Sequence, residues 1–176
     1  MRPITNQNNQ NTINNLLESF SEDEDPLSRS FITRFLEHCI EEEILYAEGD
    51  NTYLIMYHDE FPEKGKLFQS WASLCIMHPI RFMKTFKRFK DQFDYDELFN
   101  TEIPYTYIMK IVLNTDNEND LSSVMNFIQN TADSRNNHIV LSAHSIDEVS
   151  DYQPFGYTIR HQFFNDNGEH HFIMYK

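Results

Sequence analysis

Glycine is scarce in this chain, with 4 residues in 176. Chemistry that needs a glycine-rich loop therefore starts at a disadvantage, because glycine is what lets backbone amides close on a phosphate. Cysteine is scarcer still, with 2 residues. Cys39 and Cys75 each lie in an apolar stretch, Phe35 to Ile40 and Leu74 to Met77, and no paired C-x-x-C exists. Two buried free thiols in a reducing compartment are the expectation. No run approaches the roughly 20 apolar residues of a membrane span. The opening Met1-Arg2-Pro3-Ile4, followed by Asn and Gln, has no apolar signal region. These absences predict a cytoplasmic protein that does not engage a membrane. Positive charge is also short: 14 Lys and Arg stand against 28 Asp and Glu, for a formal net charge of −14. Such a surface repels a phosphate backbone, so no nucleic-acid role is expected. It attracts cations such as polyamines, amino sugars or basic peptides, and it serves solubility in any case.

What is present is a folding composition. Hydrophobic residues make up 40% and aromatics 14%, with 15 Phe and 9 Tyr. This length suits one domain, 1–176, with a substantial core. The patterning predicts a strand at Arg2–Thr5 and a helix over Asn11–Ser19, where Ile13, Leu16 and Leu17 recur at helical spacing. After the acidic break 21–26, a second helix is expected over Leu27–Glu43. Strands at Ile44–Ala47 and Thr52–His58 flank a turn at 48–51. Lys66–Ala72 reads as a further strand. Phe82, Phe86, Phe89 and Phe93 mark one face of a helix whose other side carries Arg81, Lys84, Lys87, Arg88 and Lys90. That basic face is a solvated surface or a dock for an anion. Tyr105–Leu113 reads as a buried strand, Leu121–Ala132 as a helix, His138–Ala143 as a strand and Ile146–Tyr152 as a short helix. Tyr157–Phe164 and His170–Tyr175 close as a hairpin.

This order, with His138-Ile-Val-Leu-Ser-Ala143, Asp151-Tyr-Gln-Pro-Phe-Gly-Tyr157 and His171-Phe-Ile-Met-Tyr175, resembles the Gcn5-related N-acetyltransferase (GNAT) superfamily. The resemblance extends to Met1-Arg-Pro-Ile-Thr5 and to the segment Phe20-Ser-Glu-Asp-Glu-Asp-Pro-Leu27. It implies an α/β (α+β) fold: a mixed, mostly antiparallel central sheet flanked by helices and splayed at two central parallel strands. It implies an acetyl-CoA-dependent N-acetyltransferase acting on a small cationic amine or a protein amine. It also allows a homodimer, with the Phe82–Phe93 helix as a contact, although core packing accounts for that helix equally.

By the same resemblance, Ile111, Val112 and Leu113 would hydrogen-bond the pantetheine arm along a strand edge. Asn117, Asn119, Ser122 and Ser123 would stand at the pyrophosphate. Tyr152 would protonate the departing thiolate. Glu48 would be the base for the amine, with Asp59, Glu60 and His144 as other candidates. The loop departs from the family pattern, since Asn114–Asp120 holds no glycine and carries Asp116, Glu118 and Asp120. Carboxylates suit a helix start by themselves, but beside a pyrophosphate they are like charges. The alternative is therefore a GNAT-fold binding or regulatory protein that does not use CoA. Were the segment a simple loop between antiparallel strands, an unrelated α/β protein would follow. Next to Glu169, His170 and His171 invite a metal reading, but neighbours in a strand point to opposite faces. No metal is expected.

Overall fold

A computed structural model describes residues 1–5, 9–20, 26–49, 51–59, 62, 64–83, 85–86, 103–113, 118–164, 168 and 170–176. Among these, the strands are β1 (Arg2–Pro3), β2 (Leu45–Glu48), β3 (Thr52–His58), β4 (Tyr105–Leu113), β5 (His138–Ala143), β6 (Thr158–Phe164) and β7 (His170–Tyr175). The helices are α1 (Asn9–Phe20), α2 (Pro26–Glu41), α3 (Lys64–Met77), α4 (Glu118–Arg135) and α5 (Ile146–Tyr152). One sheet runs in the order β1-β2-β3-β4-β5-β7-β6. Its neighbours pair antiparallel except β4 and β5, which are parallel and joined through α4. That parallel crossover removes the reading of 114–120 as a loop between antiparallel strands.

Period-two alternation divides the core between the two faces of the sheet. Tyr53, Ile55 and Tyr57 of β3 pack with Leu16, Phe31, Phe35 and Trp71 from α1, α2 and α3. Leu54 and Met56 pack on the other face with Val124, Met125 and Ile128 of α4 and with Val149 of α5. In β4 the alternation slips. Ile55 pairs with Lys110 but Met56 with Ile108, so Met109 is an extra residue on β4. This is a β-bulge, which bends a strand and sharpens its twist. Before it, Tyr105 and Tyr107 face α1–α3 and Ile108 faces α4. Beyond it, Val112 faces α1–α3, while Ile111 and Leu113 face α4.

At the bulge the sheet opens. The β4–β5 ladder runs from Tyr105↔His138 to Ile108↔Leu141 and stops there. β4 continues to Leu113 paired with β3, and β5 continues to Ala143 paired with β7. The central parallel strands are therefore splayed at their C-terminal ends, as the resemblance implied.

Lys64–Met77 is a helix, so the expectation of a strand at Lys66–Ala72 is corrected. Leu67, Trp71 and Leu74 are its buried residues, spaced four and three, which is the period of a helix. The aromatic content of Phe68 and Trp71 favours a strand locally, and the tertiary packing of that stripe on α2 decides otherwise. Several boundaries also shift. Glu43 takes a left-handed φ of 57°, and the Glu43 and Ile44 amides cap the Ile40 and Cys39 carbonyls, so α2 stops at Glu41. Helix α4 begins three residues before the expected Leu121. Residues 79–83 and 85–86 are helical, with Phe82 and Phe86 turned toward Phe31, Phe68 and Trp71. Phe89 and Phe93, like Lys84, Lys87, Arg88 and Lys90, lie outside the described residues. Cys39 is buried as expected, whereas Cys75 is only half-buried.

Trp71 is the keystone of the α2–α3 contact. It is 1% exposed, its ring stacks on Phe31 at 3.9 Å, and its Nε1–H donates to the Phe31 carbonyl at 3.3 Å. Trp71→Ala is expected to cost about 3–5 kcal/mol, read from the shift of a urea unfolding curve.

Candidate functional site

The open end of the sheet gathers most of the residues singled out from the sequence. Past Ile108 the β4 edge toward β5 has lost its ladder, so its amides and carbonyls face the gap. Ile111, Val112 and Leu113 supply this edge. Ile111 and Leu113 pack around the same core as Leu121 of α4 and Tyr152 of α5. Val112 is buried on the other face.

Helix α4 starts beyond β4. Asn119 lies in its first turn, and Ser122 and Ser123 lie one turn further on. Glu118, Asn119 and Asp120 thus begin a helix instead of ending a loop, and the Asp120 carboxylate suits the positive end of the helix dipole. Asn117 and Asp116 lie outside the described residues. Glu48, at the end of β2, accepts a hydrogen bond from Ser123 Oγ at 3.1 Å. The register Glu48↔Thr52↔Leu113 sets this carboxylate at the open end of the sheet.

The segment after β5 is built by a reciprocal cap. Ser145, in extended conformation, caps α5: its Oγ accepts from the Glu148 amide at 3.1 Å. Glu148 Oε2 in turn accepts from the His144 amide at 2.7 Å. Two otherwise orphaned donors are satisfied together. At the other end of α5, Tyr152 leads into a single 3₁₀ turn that stops at Gly156, whose φ is +92°. A side chain at that φ is strained, and a Cβ there would meet the Lys176 side chain at 3.4 Å. This is the physical content of the Tyr-x-x-x-Gly spacing: the glycine lets the chain reverse into β6 with Tyr152 held against the core.

Tyr152 is half-buried, with its ring 6.4 Å from that of Tyr157. Burial pushes its phenol well above the ordinary 10.0, and the charges of Glu148 and Asp151 push the same way. Tyr157 is raised by burial alone. Tyr152 is therefore a phenol, a proton donor, throughout neutral pH.

Of the other candidate bases, Asp59 lies at the closed end. Its φ is 59°, and it exchanges hydrogen bonds with the Tyr105 backbone, so it serves the β3–β4 junction. Glu60 lies outside the described residues. His144 stands at the open end beside His171, Nδ1 to Nδ1 at 3.1 Å. That pairing was not anticipated. His170 turns to the opposite face, where it stacks on Phe164, so the two adjacent histidines do diverge.

Comparisons with solved structures fit this architecture. A mosquito arylalkylamine N-acetyltransferase-like protein (5b) superposes with a TM-score of 0.53 at 9% identity, over 99% of this chain and 97% of that one. A Drosophila melanogaster polyamine N-acetyltransferase, which forms N-acetylagmatine, superposes at 0.51 and 10% identity over 93% of each chain. An agmatine N-acetyltransferase superposes at 0.51 and 9% identity over 91% of this chain and 86% of that one. The chain therefore has the GNAT fold. No protein-family model and no curated protein matches it in sequence.

Because burial raises the Tyr152 and Tyr157 phenols, the folded state holds those protons more tightly than the unfolded chain does. Stability is expected to be undiminished below pH 10 and to fall above it, as the unfolded phenols ionise and the folded ones do not. Absorbance titration at alkaline pH checks this: Tyr152→Phe should remove a phenol that ionises later than the exposed tyrosines.

Proposed function

We propose that the protein is an acetyl-CoA-dependent N-acetyltransferase acting on a small cationic amine. The observation that carries this reading is the opening between β4 and β5, with a backbone edge on one side and the half-buried Tyr152 packed on the same core as Ile111 and Leu113. The residues fit the donor substrate in part. The edge at Ile111–Leu113 offers the hydrogen-bond pattern of a strand to the amide-bearing pantetheine arm. The start of α4 offers amides and a positive dipole end to a pyrophosphate. These contacts use backbone, so they survive the loss of glycine.

The roles of the chain's own residues follow from placement. The acetyl thioester supplies the activated acyl group. Tyr152 gives its phenol proton to the sulfur as the thiolate departs. Glu48, holding Ser123, sets negative charge at the open end, where it draws in an ammonium substrate. The acceptors named for the superposed enzymes, arylalkylamines, polyamines and agmatine, are amines, and a net charge of −14 favours cationic ligands generally. A protein amine is the other acceptor class. We assign the chemistry to the reducing, cytoplasmic setting suited to two free thiols. Among the described residues no helix is long and apolar enough to cross a membrane.

A second reading rests on the loop. Without glycine, and with Glu118 and Asp120 in the first turn of α4, the protein would be a GNAT-fold binding module that leaves CoA aside. Calorimetric titration with acetyl-CoA at low salt separates the two. Micromolar binding, followed by acetylation of agmatine, a polyamine or an arylalkylamine, is the expected outcome. Tyr152→Phe should then lower kcat on the order of 10²-fold with little change in KM. Binding only by a Glu118→Gly/Asp120→Gly variant would establish the module reading instead.

A further inference from the structure

The contact between His144 and His171 has a chemical consequence. Two ring nitrogens 3.1 Å apart cannot both be bare and cannot both carry protons, so one Nδ1–H donates to the other Nδ1. The rings meet edge to face, at 88° and 4.6 Å between centroids. His171 is 4% exposed, in β7, with the Phe163 ring stacked on it at 5.5 Å. His144 is half-buried and is the first residue after β5. Alternation sets Ser142 and His144 on the α1–α3 face of the sheet, together with His171 and Ile173 of β7. Tyr107 of β4 lies there too, its hydroxyl donating to Ser142 Oγ at 3.3 Å. Tyr152 packs on the other face. The opening between β4 and β5 thus has an imidazole pair on one side and a phenol on the other.

We propose that His144 is the catalytic base that deprotonates the acceptor amine, and that His171 is a positioning residue that fixes its tautomer. This rests on the acyltransferase reading. In this assignment His144 donates Nδ1–H to His171 Nδ1, which puts the lone pair of the His144 ring on Nε2. His171, held by the strand register and by Phe163, takes the part that a carboxylate takes behind a catalytic histidine. Glu148 adds a negative charge four residues before Tyr152, which disfavours phenolate there. Among the described residues, titratable groups on this face include Tyr107 and Lys110 on β4, the Lys110 Nζ lying over the Phe20 ring, His161 on β6 and Tyr175 on β7.

The protons balance. His144 Nε2 takes one proton from the ammonium and passes it to water. The amine lone pair forms the C–N bond as the C–S bond breaks, and Tyr152 protonates the thiolate. The second proton shed by the acylated nitrogen restores the Tyr152 phenol. The net result is amide, thiol and one proton released.

The test uses the full chain and four variants: His144→Gln, His171→Asn, His171→Phe and Tyr152→Phe. Long-range proton–nitrogen NMR of the ligand-free protein at neutral pH should show His144 as the Nδ1–H tautomer and His171 as the Nε2–H tautomer. Finding Nε2–H on His144 overturns the proposal without any assay of turnover. With acetyl-CoA and agmatine, His144→Gln should lose on the order of 10²-fold in kcat/KM near neutral pH. That loss should shrink as pH rises and the free amine becomes abundant, while acetyl-CoA affinity and Tm stay near those of the unmodified protein. His171→Asn, which keeps an acceptor, should retain far more activity than His171→Phe. A loss that is equal at every pH, or no loss, in an active protein overturns the base assignment alone. If the unmodified protein neither binds acetyl-CoA nor acetylates an amine, the acyltransferase reading fails and this assignment falls with it.

Discussion

The parting of β4 from β5 after Ile108 and Leu141 is the constraint on which the rest of the molecule depends. A strand in mid-sheet normally has both edges paired, because an amide or carbonyl turned away from both partner and water costs free energy. Here β4 runs five residues past its last parallel partner. The Met109 bulge is what allows this, since it twists β4 away while β3 keeps pairing through Leu113. The same slip turns Ile111 and Leu113 toward α4, where they pack on the same core as Leu121. The bulge thus creates the gap, aims the backbone into it and seats the helix that closes its far end.

A cleft formed this way has two unlike sides because the sheet does. The α1–α3 face carries the polar row of Tyr107, Ser142, His144 and His171 among buried aromatics. The α4–α5 face is packed mainly by Leu54, Met56, Ile108, Val124 and Phe172, with Tyr152 partly buried against them. Glu148 links the two. Its carboxylate holds the backbone of His144 and raises the pKa of Tyr152 one turn later. One residue explained locally as half of a helix cap therefore also helps to keep the proton on Tyr152.

The fold was largely legible in the sequence where local signals were strong. Thr52–His58 and His138–Ala143 are dense in β-branched and aromatic residues, and both are strands. The Tyr-x-x-x-Gly spacing was legible because a positive φ is a local demand on one residue. Lys64–Met77 was misread because its helical stripe is only three residues, Leu67, Trp71 and Leu74, and acquires meaning when α2 packs on it. The bulge was not legible, since an extra residue in β4 exists only relative to the register of β3. The His144–His171 pair was missed for a related reason. His144 stands two beyond Ser142 and His171 two before Ile173, so alternation sets each on a known face. Their meeting requires the antiparallel register Ala143↔Phe172, a long-range fact.

The scarcity of glycine is best understood against this geometry. A glycine-rich loop lets several amides wrap one phosphate, and this chain has given that up around residues 114–120. The strand edge and the helix start need no glycine, because they present backbone through regular structure. What changes is the balance of charge: the first turn of α4 is acidic, and Glu48 holds Ser123 one turn on. Each like charge near a pyrophosphate costs on the order of 1 kcal/mol in a solvated site. The same carboxylates suit a helix start, and on the proposed reading they would draw a cationic acceptor to the open end of the sheet. A scaffold that had abandoned acyl transfer would keep the core and the caps. On the proposed reading, the paired His144 and His171 rings and the Tyr152 phenol, on opposite faces of one opening, are the groups that the chemistry would use.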